Sequence, residues 1–371
     1  MNRPNRRARP RAIAASRALL AAVLASLLGT FATSSYSQVA AHQPTRWVGG
    51  WLTYWQFEQG LESIRHSPDT FQDVYFFIGQ LSPSGDPMLA ASKHDYRATI
   101  QQLKTQGKRS WLTVVNDVVS PAQKAILKDP HVVSRLLASH QSRQQHISHL
   151  VSLASEYGFY GIDIDYESLR HRDRNRFSLF IEELAQALQP HNIRLAVTVQ
   201  PKVRDQRRNG AGVNDWQRLC RVADRLQIML YNEHSGKTGP GPIASTAWIE
   251  KVLDHAEQKC PAEKIVPSLK VLGASWEQHK VRGITYQQAV ALARQHNATV
   301  ERTRDQVPHF TVAGPNATRT TYFEDGRSMA NKLTMLQARG YNQVMLWRLG
   351  SYDLEINREL QAFRKAGLRG E

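Results

Sequence analysis

Short β-rich runs alternate along the chain with stretches whose apolar residues recur three and four positions apart. The runs fall at 48–55, 74–81, 110–116, 161–166, 195–200, 226–231, 265–271 and 344–349. Between them, segments such as 133–157, 174–188 and 246–259 carry the spacing of amphipathic helices. The helix at 174–188 has Asp173 in the N-cap position and stops before Pro190. Strands alternating with helices predict parallel βαβ units, and eight such strands predict an α/β fold, a closed (β/α)8 TIM barrel. The spacing is regular except between the seventh and eighth strands, where about 70 residues intervene. A helical run at 285–295 and strand-like pieces at 309–312 and 320–323 predict a small α+β insertion there, about 275–323. It is expected to lie over one end of the barrel, before a last helix near 328–339. No linker rich in Ser, Gly or Pro and no repeat of fixed period divides the chain, so a single barrel domain is expected over 46–365.

The chain has 371 residues, 41% of them hydrophobic and 8% aromatic, enough for a large core and unlike a disordered chain. Residues 1–41 stand apart. Arg3, Arg6, Arg7, Arg9, Arg11 and Arg17 precede a mostly apolar run at 18–29, followed by Ser, Thr and Ala residues that suit a processing site. This is the three-part layout of a secretory signal peptide, with Ala41 or Ala32 as the residue before the cut. The apolar run is shorter than the ~20 residues a transmembrane helix needs. No cysteine precedes Cys220, which excludes a lipoprotein anchor. The expected location is therefore periplasmic or extracellular, with no stable membrane association once the segment is removed. An uncleaved N-terminal anchor is the alternative. The formal charge is +16, and a chain starting at His42 would keep +10, because residues 1–41 hold six arginines and no acid.

Export bears on the two cysteines. Cys220 and Cys260 each lie near the end of a predicted helix just before a strand, which puts both at the same end of the barrel. In an oxidising compartment they can form a bridge closing about 40 residues, worth about 4 kcal/mol in the chain-entropy model. Two buried unpaired thiols are the other reading. Nothing around either cysteine resembles a metal-ligand cluster, and no metal or cofactor is expected.

The most informative stretch runs Phe159-Tyr160-Gly161-Ile162-Asp163-Ile164-Asp165-Tyr166-Glu167. On a strand, Asp163, Asp165 and Glu167 share one face, while Ile162, Ile164 and Tyr166 take the other and pack under the helices. Carboxylates this close cannot all ionise freely, so at least one pKa rises, which suits a general acid working near neutral pH. Glu167, last on the strand, would stand at the C-terminal mouth, where barrel active sites lie. An exposed edge strand with solvated acids conflicts with the alternating Ile-x-Ile-x-Tyr. A calcium site would call for more turn chemistry.

This segment resembles the D-x-x-D-x-D-x-E signature of glycoside hydrolase family 18, the chitinase-like barrel enzymes. Met229-Leu230-Tyr231-Asn232 is similar to the family's Met-x-Tyr-Asp on the sixth strand. Trp347-Arg348-Leu349-Gly350 with Asp353 resembles the Trp-x-Leu-Gly ending of the eighth. Glu324-Asp325, Ser328 and Lys332, together with 231–245, look like the exported bacterial branch related to spore-cortex-lytic glycosidases. The resemblance covers most of 46–355. It implies a substrate-assisted retaining mechanism on a β-1,4-linked polysaccharide containing N-acetylglucosamine. Glu167 would be acid and then base, and Asp165 would orient the acetamido group that attacks the anomeric carbon. Asp163 completes the catalytic ladder, and Tyr231 would hydrogen-bond the acetamido group. Trp347 would floor the sugar pocket, with Met229, Asn232 and Tyr160 contributing to substrate binding. Two positions depart from the pattern: Tyr160 stands where the first Asp belongs and Asn232 replaces the Asp of Met-x-Tyr-Asp.

Arg170, Arg172, Arg174 and Arg176 follow the fourth strand, and Lys202, Arg204, Arg207 and Arg208 follow the fifth. Both clusters fall on the active-site face. Neutral chitin offers such cations nothing to neutralise, whereas peptidoglycan or an anionic exopolysaccharide does, so Arg204 and Arg207 are candidate substrate-binding residues. A generally basic protein with solvated loops is the plainer reading. Nucleic acid is a poor partner for basic loops framing an acidic pocket. Two further functions stay open: a chitinase or β-N-acetylglucosaminidase on neutral chitooligosaccharides, and a non-catalytic carbohydrate-binding barrel.

Overall fold

Eight parallel strands close into a barrel in the computed structural model, which describes residues 46–120, 123–314 and 317–366. The strands in chain order are β1 (Trp47–Thr53), β2 (Asp73–Leu81), β3 (Pro87–Leu89), β4 (Arg109–Ser120), β5 (Gln123–Ile126), β6 (Gly161–Asp165), β7 (Arg194–Val199), β8 (Arg225–Met229) and β9 (Ile265–Lys270). They continue with β10 (Gly273–Glu277), β11 (Lys280–Ile284), β12 (Glu301–Arg302), β13 (Pro308–Ala313), β14 (Thr318–Tyr322) and β15 (Gln343–Trp347). The barrel runs β1-β2-β4-β6-β7-β8-β9-β15, and β15 pairs in parallel with β1 to close the ring. Each of its eight strands overlaps one of the eight runs read from the sequence. The export segment expected over 1–41 lies outside the described residues.

Alternation separates two cores. Side chains facing inward, among them Trp51, Tyr75, Trp111, Val115, Val266 and Met345, fill the barrel. Outward-facing residues such as Ile162, Ile164 and Tyr166 join Phe177, Phe180 and Leu184 of the helix Arg174–Leu188. Gly161 opens β6 because a Cβ there would lie 2.4 Å from the Trp111 ring.

The helix expected at 133–157 is broken into Pro130–Leu136 and His140–Tyr157. Ser139 is the reason: its hydroxyl accepts from Ser142 N and forms a capping box that starts a new helix, which ends at Gly158 with φ 72°. Asp173 stands at the expected N-cap position but does not cap. Its Oδ2 instead accepts from Ser134 Oγ at 2.5 Å.

The insertion between β9 and β15 is a five-stranded antiparallel sheet, β11-β10-β14-β13-β12, with the helix Tyr286–Gln295 packed on it through Ala289, Ala293, Phe310 and Phe323. Its first two strands, β10 and β11, form a hairpin whose outer strand is largely exposed. At the barrel mouth, β3 and β5 fold back antiparallel on β2 and β4. Cys220 and Cys260 are joined by a disulfide, with Cα atoms 5.7 Å apart.

Candidate active site

The carboxylates of β6 stand in layers. Asp163 is fully buried inside the barrel and accepts hydrogen bonds from Thr198 Oγ1 at 2.8 Å, Thr113 Oγ1 at 2.9 Å and Trp51 Nε1 at 3.3 Å. Burial pushes its pKa up, and those donors pull it only partly back. Oxygens taken by three donors are not arranged to ligate calcium, and β6 has a strand on either side, so it is no edge.

One layer higher, Asp165 is buried, and among the described residues its Oδ1 has no hydrogen-bond partner. Burial first, and then the charges of Glu167 and Asp163, push it well above the usual carboxylate range, with Lys128 opposing. The strongly shifted acid of the ladder is thus Asp165.

Glu167 stands at the C-terminal mouth with 13% of its side chain exposed. Its backbone is clamped by Asn116, which accepts from Glu167 N at 2.9 Å and donates to Glu167 O at 3.0 Å. Gln200 Nε2 donates to Glu167 Oε2 at 3.0 Å, and Lys128 Nζ pairs with Glu167 Oε1. Burial opposes the charge on Lys128, but Glu167, then Asp165 and Asp117, outweigh it and hold the ammonium above its ordinary pKa.

Glu167 opens into a cleft of about 640 Å³ that Gln200, Arg208, Met229, Tyr231 and Asn232 also line. Tyr231 is kept protonated by burial and by the charges of Asp165, Glu167 and Asp163, so its hydroxyl is available as a donor. Asn232 adopts the left-handed region at φ 64°, and its Oδ1 accepts from Lys270 Nζ at 3.1 Å. Burial brings Lys270 down to about 8, with Glu324 opposing. Glu233 also lines the cleft, but its carboxylate is engaged: it accepts from Ser245 N at 2.6 Å and Ser245 Oγ at 3.1 Å, at the start of the helix Thr246–Glu257. Trp347 is half-buried at the end of β15, edge-on to Trp51 at 5.7 Å and Phe77 at 5.0 Å.

Tyr160 does not join the cleft. It precedes the five residues of β6, which alone set it about 16 Å from the mouth at ~3.3 Å per residue. It packs at the opposite end against Trp111 and beneath Arg109, so it cannot bind substrate beside Glu167. The basic loops are also less uniform than the sequence suggested. Lys202 is buried, bound to Asp205 at 2.8 Å and Asn214 O at 2.7 Å and stacked over Trp216. Arg174 is taken up by Gly212 O and Asp215. Arg208 lines the main cleft, while Arg207, with His171 and Arg172, lines a side depression of about 380 Å³. Arg204 is exposed.

Gln200, Asn116 and Lys128 are the site residues that sequence reading missed. Gln200 had a signal, since it lies two residues beyond Thr198 and so shares its inward face. Lys128 had none, because it arrives from the turn after β5.

The model for the glycosyl hydrolases family 18 matches residues 130–353, a span that includes β6, β8 and β15. The chain belongs to family 18. Among curated proteins it is 31% identical over 150 residues to the uncharacterized glycosylase YvbX of Bacillus subtilis, covering 40% of this chain and 44% of that protein. It is 25% identical over 262 residues to the cortical fragment-lytic enzyme of Bacillus anthracis, covering 68% and 60%. The chain thus spans about half the length of these relatives. Solved structures that share the fold include a chitinase from Chromobacterium violaceum, with TM-score 0.75, 23% identity and coverage of 87% and 99%. Another is the Bacillus cereus spore cortex-lytic enzyme SleL, with TM-score 0.73, 21% identity and coverage of 85% and 74%.

Proposed function

We propose that this family 18 barrel is an exported glycosidase that cuts β-1,4 bonds after N-acetylglucosamine in peptidoglycan or a related acidic polymer. The observation that carries the reading is the layered ladder: Asp163 saturated by donors, Asp165 buried with a free oxygen, and Glu167 at the wall of an open cleft. Glu167 acts as acid toward the departing glycosidic oxygen. The acetamido oxygen of the sugar on the non-reducing side attacks the anomeric carbon, as the family's substrate-assisted chemistry requires. Asp165 orients that group through its free carboxyl oxygen and stabilises the positive charge that develops on it. Tyr231 donates to the acetamido group, and Trp347 packs beneath the ring. Glu167 then removes a proton from the incoming water.

Arg208 in the cleft and Arg207 beside it favour an acidic polymer over neutral chitin. The name of the Bacillus anthracis relative, which refers to cortical fragments, points the same way. Export rests on the layout of residues 1–41 and agrees with the Cys220–Cys260 disulfide, a bond that persists in oxidising compartments. The test is turnover of purified peptidoglycan and of chitin oligosaccharides side by side, with R207S/R208S for comparison. Loss of activity on peptidoglycan alone supports the acidic substrate. Equal turnover of both polymers by both proteins returns the reading to a chitinase. Binding with no cleavage returns it to a carbohydrate-binding barrel.

A further inference from the structure

An ammonium ion is an awkward neighbour for a general acid. While Lys128 Nζ sits at Glu167 Oε1 and Gln200 Nε2 at Oε2, both carboxyl oxygens are occupied and neither is open to a glycosidic oxygen. Nor does Glu167 need Lys128 to hold its place, because Gln200 fixes the other oxygen and Asn116 fixes the backbone on both sides.

The turn nevertheless presents Lys128 deliberately. Its backbone is held at φ 54°, the left-handed region that a residue with a Cβ adopts only against steric cost. Its N–H is tied to Asp117 Oδ1 at 2.8 Å. Beyond that anchor the side chain extends to Glu167. It is 49% exposed, and among the described residues its ion pair is with Glu167. A flexible stem ending in a strongly hydrated point charge can change partners readily. The residues before it, Ile126 and Leu127, are exposed at the rim.

We infer that Lys128 is a specificity-determining residue that receives a carboxylate carried by the glycan beside the scissile bond, and by leaving Glu167 opens its Oε1 to the glycosidic oxygen. This rests on the glycosidase reading above. A neutral glycan leaves the ammonium on Glu167 and is cut slowly, while a carboxylate-bearing one removes it. Arg207 and Arg208, on the loop after β7, guide the polymer. Lys128 acts at the cut itself.

The test compares the wild-type protein with K128M and K128R on three substrates. These are peptide-free glycan strands with free lactyl carboxylates, the same strands after carboxyl amidation, and strands that keep their peptides. The wild type should prefer a carboxylate-bearing strand over the amidated one by about tenfold in kcat/KM, the lower end for a hydrogen bond to a charged group. K128M should bring that preference to within about twofold, in part by speeding the amidated strand, and K128R should keep most of it. Whether the preference appears with peptide-free or only with peptide-bearing strands tells whether the carboxylate sits on the sugar or on the peptide. An unchanged preference in a folded K128M protein overturns the inference while leaving the glycosidase reading intact. Should the wild type cut none of the strands, that reading fails, and calorimetric binding of the same strands to wild type and K128M decides the matter. Selective loss of carboxylate binding in K128M keeps Lys128 as the receptor, and equal binding removes it.

Discussion

Gln200 Nε2 donates to Glu167 Oε2 at 3.0 Å, joining the end of β7 to the end of β6 across the barrel mouth. Deeper in the barrel, Thr198, two residues before Gln200, makes a like contact at 2.8 Å with Asp163, four residues before Glu167. Two neighbouring strands therefore hold the ladder by the same alternation that built it.

Replacing Gln200 with Leu removes a hydrogen bond to a charged group, worth about 1.5–3 kcal/mol. The expected result is a fall in kcat of roughly tenfold to a hundredfold, with KM changed far less, since Gln200 positions the acid and need not bind the sugar. Steady-state kinetics on a short oligosaccharide check this. A rise in KM alone would mean that Gln200 contacts substrate instead.

Asp165 gives a pH signature in stability. Its folded pKa is raised by burial, then by Glu167 and Asp163, so the folded chain holds that proton more tightly than the unfolded chain. The stability this contributes is fully present below the ordinary carboxylate range and is lost as pH rises through the raised value. Asp165→Asn should therefore raise the melting temperature at pH 7–8 and leave it little changed near pH 3, while abolishing most activity. Melting curves across that range test it, and a constant offset at all pH values would contradict it.

The strand framework was legible because each barrel strand carries a short apolar run bounded by helical spacing. The ladder was legible because period two puts 163, 165 and 167 on one face. Other features depend on where the chain goes after a strand ends. Lys128 reaches Glu167 from the turn beyond β5, and Lys202 was read as a surface cation although Asp205, Asn214 and Trp216 draw it inward. Tyr160 shares a motif with Glu167 but not a location, because strand direction carries it to the far end of the barrel. The outer strand of the β10–β11 hairpin went unread because its face is polar and exposed, without the apolar alternation that marks a strand.

The Cys220–Cys260 bond closes a loop with a sequence separation of 40, so its removal should cost about 4 kcal/mol on the chain-entropy model. C220S/C260S, or the reduced protein, should unfold at a clearly lower denaturant concentration with a somewhat steeper slope, because the unfolded chain without the bond is less compact. Both cysteines lie next to the N-terminal ends of strands, away from the mouth, so kcat of the folded protein should stay within about twofold. A large loss of turnover at full folding would show that the bond shapes the site.

The most direct test of the account is reducing-end release from peptidoglycan and chitin oligosaccharides by the wild-type protein and by E167Q. Glutamine keeps the shape of the side chain and one acceptor oxygen, for Gln200 Nε2 or Lys128 Nζ but not both, and cannot give up a proton to the leaving oxygen. The account predicts release at least 100-fold lower in E167Q, in line with the usual worth of a general acid, in protein that circular dichroism shows to be folded. Equal release by the two proteins would contradict the assignment of Glu167 as the acid.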